Sequence, residues 1–376
     1  MIPPDPGAAR MRRLARVRAR MAELGVEALL LSLGADLPWV SGYQAMPLER
    51  LTMLVLPADA DAVLVVPQLE APRVAADERL FSIRAWTETE DPVGIVASLL
   101  GARRRLAVSD RAWASVLLAL QRGVPNADMR PASDVTSDLR SVKDDAELAA
   151  LAAAAAAADR VAAQLQAGEI ALVGRTEAEV SSEIGRRLVA EGHRSVNFAI
   201  VGSGPNSASP HHEPGPRRIG RGEVVLCDFG GALSLDGGPG YCSDVTRTVV
   251  TGEPAADLRE LYEVLSEAQA AGVAAAVAGR PCEEVDGAAR AVISRAGLGE
   301  RFVHRLGHGI GLEEHEEPYL VSGNRAPLEV GQAFSIEPGI YLPGRFGARI
   351  EDIVAARPAG PEPLNRADHS LVVVEA

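Results

Sequence analysis

In VVLCDFGG the strand period of two groups Asp228 with Val224 and Leu226, and leaves Val225, Cys227 and Phe229 on the opposite face. An acid thus stands among apolar neighbours in a run that should be buried. Asp244 in YCSDVTRTVV, Glu337 in FSIEPGIYL and Glu351 in ARIEDIV occupy the same kind of setting, each inside a strand-like run. A buried charge costs several kcal/mol unless it is paired or bound to metal. Arg247 and Arg349 are the nearby cations, too few to neutralise four carboxylates. Two divalent ions would balance the four, so the acids read as a dinuclear metal site.

His308, in VHRLGHGIGLEEHEEP, offers a nitrogen ligand, and Gly307, Gly309 and Gly311 around it let backbone pass close to a metal centre. GHGIG has the spacing G-x-G-x-G and opens no helix of a βαβ unit, so it is not a dinucleotide fingerprint. His315-Glu316-Glu317-Pro318 is not a zinc-protease helix either, because Tyr319 stands where the second histidine belongs. One histidine with mixed carboxylate oxygens favours Mn²⁺, Co²⁺ or Fe²⁺, with Zn²⁺ as the alternative. Five of the seven histidines (His211, His212, His304, His308 and His315) fall between residues 211 and 315, beside the buried acids. His304, four residues before His308, can share its cavity in a helix or an extended approach, one as ligand and one as proton carrier. Asp352 points away from Glu351 on a strand and reads as structural. Cys227 and Cys242 read as buried fillers, and His193 and His369 as surface residues.

The elements that must position these groups follow from the longer-range pattern. At 376 residues the chain exceeds one ordinary core, so two domains are expected. Short apolar runs (26–31, 51–56, 62–66, 106–108) alternate with helical stretches behind a basic helix over 10–24, which predicts an α/β domain spanning 1–138. From Leu139 the alanine- and leucine-rich LRSVKDDAELAALAAAAAAADRVAAQL predicts one long helix opening a second domain, 139–376. There, helices over 144–166 and 176–191 precede strands at 196–201, 223–229 and 244–250. Helices over 255–278 and 283–296 then precede strands at 333–341, 348–355 and 370–374. Two such halves imply an α+β domain with pseudo-twofold symmetry and a site between the halves. A net charge of −13, from 51 acidic against 38 basic residues, argues against a nucleic-acid or anionic-membrane partner. Three cysteines without finger spacing, no basic leader and no run of roughly 18 apolar residues predict a reduced, cytoplasmic protein.

DFGG…YCSDVTRT, HRLGHGIGLEEHEEPYL, SIEPGIYLPG and ARIEDIV, in that order, resemble the metal-binding segments of the proline-specific pita-bread peptidases, the prolidases and aminopeptidases P. The resemblance covers residues 140–376, and the N-terminal part is similar to the smaller creatinase-type domain that precedes them. It implies two metals, Mn²⁺ first, held by Asp228, Asp244, His308, Glu337 and Glu351, with Asp244 and Glu351 bridging. It further implies that His211, His304 and His315 contact substrate or shuttle protons and that Arg349 braces the site. Two departures stand out. The segment between Asp228 and Asp244 is longer than usual, predicting an extended hairpin tip with pairing resumed at Tyr241. Tyr319 occupies the position where several prolidases place an arginine for the substrate carboxylate.

The activity so implied is cleavage of the Xaa-Pro bond in a small peptide, with Glu337 as general base. A proline nitrogen bears no hydrogen to grip, and metal coordination can lower a water pKa to about 7. Dipeptides are the expected substrates, since PHHEPG and HEEPYL look most like the bacterial Xaa-Pro dipeptidases. Arg349 is the nearest candidate for the proline carboxylate, with Tyr319 and His315 close by and Arg50 of a partner subunit as a second. Rivals are an aminopeptidase P acting on longer peptides, a methionine aminopeptidase (which normally lacks the N-terminal domain) and a non-catalytic pita-bread binding protein (which normally lacks the ligands). A metal-free, creatinase-like C–N hydrolase fails on those ligands too. The family resemblance also implies a homodimer in which the N-terminal domain, with Asp36 and Arg50, caps the partner's site.

Overall fold

A computed structural model describes residues 6–75, 77–235 and 238–374. Its contacts divide into two compact units, one running up to Arg140 and the other made of Ser141–Leu235 and Gly240 onward.

The first unit follows the order α1 (Pro6–Leu24), β1 (Ala28–Leu31), α2 (Asp36–Ser41), β2 (Met53–Pro57), β3 (Val63–Pro67), β4 (Ser82–Trp86), α3 (Pro92–Leu100), β5 (Arg105–Val108), α4 (Ala114–Gly123), β6 (Asp128–Pro131) and α5 (Ser133–Ser141). The strands form one mixed sheet in the order β4-β3-β2-β1-β5-β6. β1 and β2, at its centre, are buried throughout, which is why they read as unbroken apolar runs rather than alternating ones. Two residues expected to project as a cap are engaged inside this unit. Asp36 is buried and accepts from Arg140 Nη1 at 2.9 Å, while Arg50 pairs with Glu49 and Glu88.

The second unit continues with α6 (Asp145–Gln166), α7 (Glu177–Ala190), β7 (Ser195–Ser203), β8 (Val224–Leu233), β9 (Tyr241–Cys242) and β10 (Val245–Val250). Next come α8 (Ala256–Ala275), α9 (Cys282–Arg295), β11 (Gly307–Gly309), β12 (Glu316–Leu320), β13 (Ala333–Ile336), β14 (Gly339–Leu342), β15 (Phe346–Arg349), β16 (Asp352–Arg357), β17 (Gly360–Pro363) and β18 (Val372–Val373). Helix α6 fills the stretch 144–166 expected for it and not the whole alanine- and leucine-rich run from Leu139. Residues 139–141 close α5, and Asp144 caps α6 by accepting from the Glu147 amide at 2.9 Å while the Glu147 carboxylate accepts from the Asp144 amide. The alanines let α6 lie close to the strands: Ala154, Ala155, Ala157 and Ala158 are fully buried. By length and apolar character α6 alone among the described helices could cross a membrane, yet it is a core helix, with Asp159 accepting from Asn365 at 3.0 Å.

Two sheets result, β18-β10-β8-β7 and β12-β11-β13-β16-β17, with antiparallel β7-β8-β10 of the first half matched by antiparallel β11-β13-β16 of the second; β18, expected among the second-half strands, instead crosses to pair parallel with β10. Leu165, Ile184, Val225, Cys227, Phe229 and Val249 pack one core; Leu265, Val285, Ile293, Phe334, Ile336 and Val354 pack the other. Two runs expected as single strands are broken. Glu337 and Pro338 separate β13 from β14, and Ile350 and Glu351 separate β15 from β16, because β14 and β15 leave the main sheet to pair with each other. Pro338 can donate no ladder bond, which marks the first break. Pairing across the long hairpin resumes at Leu233↔Tyr241 and Ala232↔Cys242, as expected.

Candidate active site

The acids converge because equivalent strands carry them. Asp228 lies on β8 and Glu337 just beyond β13, the middle strands of the two halves; Asp244 immediately precedes β10 and Glu351 immediately precedes β16, the third strands. Ile200, Asp228 and Thr246 stand in register across β7, β8 and β10, and a lone bridge from Thr246 to Glu351 carries that row into the second sheet. The acids were expected inside continuous strands. Glu337 and Glu351 instead occupy the breaks, where the chain changes sheets and a side chain can turn into the space between them.

His308 is held from two sides. Its strand β11 is squeezed between β12 and β13, so a Cβ on Gly307 would run into the Ser335 carbonyl and one on Gly309 into the carbonyls of Glu316 and Glu317. Its amide donates to Ser335 Oγ at 3.0 Å, and that hydroxyl donates to Glu337 Oε1 at 3.1 Å. Its Nδ1 lies 3.1 Å from the Gly309 carbonyl, an acceptor only, so Nδ1 carries the hydrogen and Nε2 is left as the coordinating nitrogen. Nε2 faces Glu337 Oε1 at 3.3 Å and Asp244 Oδ2 at 3.7 Å. A lone pair aimed at two carboxylates is unfavourable without a cation among them.

The four acids differ in charge state. Burial and the neighbouring carboxylates push Asp244 and Glu351 well above the usual carboxyl range. Burial also raises Asp228, although Arg349 opposes it. Burial works against ionisation of Glu337 too, but when a proton in place of a metal sits on His308 Nε2, the hydrogen bond and charge it brings outweigh burial and bring Glu337 down to about 2. Asp244, His308 and Glu351 offer donor atoms all within 4.8 Å of one another, and Asp228 Oδ1 is buried with no hydrogen-bond partner. Such an orphaned oxygen beside crowded, protonation-prone acids fits divalent cations held by Asp228, Asp244, His308, Glu337 and Glu351.

Around these residues lies a cavity of about 470 Å³, within the usual range for small-molecule sites. His211, His304 and His315 line it with Phe198, Ile200, Pro210, Arg305, Glu314 and Arg349. His304 is placed by the extended segment before β11, not by a helix. Its Nδ1 donates to the Arg305 carbonyl at 2.8 Å, so its Nε2 accepts from the Tyr341 hydroxyl at 2.9 Å. Burial lowers its pKa. His315 lies tilted at 41° against His308, ring centroids 3.8 Å apart, and burial with the charges of His308 and Arg305 brings it down to about 4. His211 is exposed at the rim. His212, beside it, turns away to Glu177 at 2.8 Å.

Several expectations change at this level. Arg349, the nearest candidate for a substrate carboxylate, has its donors engaged: Nη2 to Asp228 Oδ2 at 2.6 Å, Nη1 to the Tyr341 hydroxyl at 3.0 Å, and Nε to Thr246 Oγ1 at 2.9 Å. It braces the acids. Tyr319 does not line the cavity; its ring lies 4.3 Å beneath the Arg305 guanidinium. His193, expected at the surface, is buried between the Leu188 carbonyl and Ser243 Oγ, while half-exposed His369 holds Asp352 Oδ2 at 2.6 Å. Asp352 itself pairs with Arg247 at 2.8 Å, away from the acids, and the three cysteines are buried and free. Sequence reasoning missed Thr246, whose hydroxyl donates to Glu351 Oε2 at 2.6 Å, and also Tyr341 and Arg305. Two-residue spacing from Asp244 pointed at Thr246, whereas Tyr341 stands four residues beyond Glu337, across the break at Pro338.

The family model "Metallopeptidase family M24" matches residues 148–358, and "Creatinase/Prolidase N-terminal domain" matches 13–142. The probable dipeptidase PepE of Mycobacterium bovis is 46% identical over 367 residues, covering 96% of each chain. The Xaa-Pro dipeptidase of Lactobacillus delbrueckii subsp. lactis is 35% identical over 366 residues, 94% of this chain and 96% of that one. The crystal structure of dipeptidase PepE from Mycobacterium ulcerans matches with a TM-score of 0.90 at 44% identity, covering 99% of this chain and 100% of that one. With four acids and a histidine gathered at the seam of two like halves, behind an N-terminal domain of the matching kind, the chain belongs to metallopeptidase family M24.

Proposed function

We propose that the protein is an Xaa-Pro dipeptidase working with two divalent ions, Mn²⁺ first, held by Asp228, Asp244, His308, Glu337 and Glu351. The observation that carries the metal part is the crowding of these five around one cavity, with Asp228 Oδ1 buried and unpartnered. The substrate part is supported by the Xaa-Pro dipeptidase among the relatives and by the small cavity. A cytoplasmic location, expected from the composition, and a homodimer, implied by the family resemblance, belong to the same reading.

When bound, the ions supply a water of lowered pKa and polarise the scissile carbonyl. The chain's own residues handle the protons and the orientation. Glu337, on the cavity wall 3.3 Å from His308 Nε2, accepts the proton of the attacking water and returns it to the prolyl nitrogen as the C–N bond breaks. An amide anion is too basic to leave, so this delivery is needed for departure. His315 accepts at Nδ1 from Arg305, a long contact of 3.4 Å, which leaves its Nε2–H as a donor for the carbonyl oxygen. His211, at the rim, is the second such donor. Phe198, Ile200 and Pro210 give the proline ring an apolar wall.

The test is a panel of Xaa-Pro dipeptides and Xaa-Pro-Xaa tripeptides with the metal-free chain, before and after Mn²⁺, Co²⁺ or Zn²⁺. Dipeptide cleavage should appear only with metal. Full activity after exhaustive demetallation would refute the metal assignment, and equal or faster tripeptide cleavage would establish an aminopeptidase instead.

A further inference from the structure

The cavity wall carries five carboxylates, those of Asp228, Asp244, Glu314, Glu337 and Glu351, but only two guanidinium groups. Arg349 is spent among the acids. Arg305 is different: no described carboxylate lies within ion-pair distance of it. Its guanidinium carbon sits 4.3 Å over the Tyr319 ring, and Nη2 reaches His315 Nδ1 at 3.4 Å. Its backbone is fixed as well, because the Arg305 carbonyl accepts from His304 Nδ1 at 2.8 Å. A guanidinium laid on an aromatic face keeps the donors along its edge available, in a planar fork that matches a carboxylate.

Resting on the dipeptidase reading above, we infer that Arg305, presented on the ring of Tyr319, receives the terminal carboxylate of the substrate's proline and thereby selects dipeptides. The spacing agrees. The His315 ring, tilted against that of His308 with centroids 3.8 Å apart, also meets Arg305 through its Nδ1, so one imidazole links the candidate metal ligand to the guanidinium. In a dipeptide the carboxylate carbon is three bonds from the scissile carbonyl carbon. One more residue moves the charge on by up to about 3.8 Å. Tyr319 is then a positioning residue: it supplies no charge itself and orients the group that does.

The experiment uses the full chain loaded with Mn²⁺. Wild type, Arg305→Gln, Arg305→Lys and Tyr319→Leu are compared on an Xaa-Pro dipeptide, its C-terminal amide and the Xaa-Pro-Xaa tripeptide, with proline and prolinamide as competing inhibitors. Wild type should prefer the free acid by about ten- to hundred-fold in kcat/KM, the span of one charge-assisted contact. Arg305→Gln should erase most of that preference through KM for the acid and weaken inhibition by proline, with a much smaller effect on the amide and on prolinamide. Arg305→Lys, which keeps the charge without the fork, should fall between, and Tyr319→Leu should lose part of the same preference. Equal losses on acid and amide in Arg305→Gln would show that Arg305 serves only to hold His315, and overturn the inference. So would a wild-type enzyme that cleaves Xaa-Pro but does not distinguish acid from amide. Failure of the loaded wild type to cleave any Xaa-Pro substrate would instead overturn the dipeptidase reading, and this inference with it.

Discussion

Asp228 shows how individual side chains divide the work. One oxygen accepts from Arg349 and is fixed; the other is buried without a partner, in a residue that lines the cavity. Thr246 does the same for Glu351: its hydroxyl donates to Oε2 at 2.6 Å and accepts from Arg349 Nε at 2.9 Å. A fully buried hydroxyl with both roles filled fixes the rotamer of the acid it touches. Thr246→Val keeps the shape and removes both bonds, leaving Glu351 and Arg349 each short of a partner. We expect a loss of about 1–3 kcal/mol in unfolding free energy and metal binding weakened by about ten- to hundred-fold, as for other residues that orient ligands. Calorimetric titration of the metal-free variant with Mn²⁺ checks the second effect. An unchanged affinity would assign Thr246 to the strand pairing alone.

At the level of elements, β11 delivers His308 and has little room. Gly307→Ala would set a methyl against the Ser335 carbonyl, in the strand that hands a hydroxyl to both His308 and Glu337. Overpacking of this kind costs about 1–3 kcal/mol, so a lower melting temperature with reduced metal occupancy is expected; native-like values in both would show that the strands can part. The same elements explain what was legible in the sequence. Asp228 could be placed because β8 keeps its alternation from Val224 to Phe229, with Val225, Cys227 and Phe229 in the core. Helix α6 was legible over 144–166, and its start is fixed by the Asp144–Glu147 box. The breaks at Glu337 and Glu351 were hidden, since β14 and β15 leave the sheet for each other, a tertiary choice with only Pro338 as a local sign. His193 looked like a surface residue in EGHRS, and its burial rests on Ser243, fifty residues away. Arg305 gave no signal, because its platform, Tyr319, belongs to the strand that runs back along β11.

For the molecule as a whole, the acids link metal binding, protons and stability. In the metal-free chain, burial and mutual repulsion raise Asp244 and Glu351 well above the usual carboxyl range. Between the ordinary and the raised values the folded state therefore holds protons that the unfolded chain has released. Their contribution to stability is present below the unfolded pKa and is lost as pH rises through the folded one. Glu337, brought down to about 2, acts in a separate window: its contribution is present above the ordinary carboxyl value and lost as pH falls toward 2. Divalent ions compete with the protons on Asp244 and Glu351, so affinity should rise with pH. Ions that bind only the folded state add RT ln(1 + [L]/Kd) per site, and each tenfold tightening adds about 1.4 kcal/mol. The melting temperature gained from a fixed excess of Mn²⁺ should accordingly be small in mild acid and increase steadily toward neutral pH. Taking the difference between loaded and metal-free curves at each pH reduces the influence of groups that titrate alike in both. Thermal melts of the two forms across that range provide the measurement, with calorimetry in buffers of different ionisation enthalpy counting the protons released. A metal-induced gain that stayed flat, or shrank toward neutral pH, would mean that Asp244 and Glu351 are not the groups the ions displace protons from.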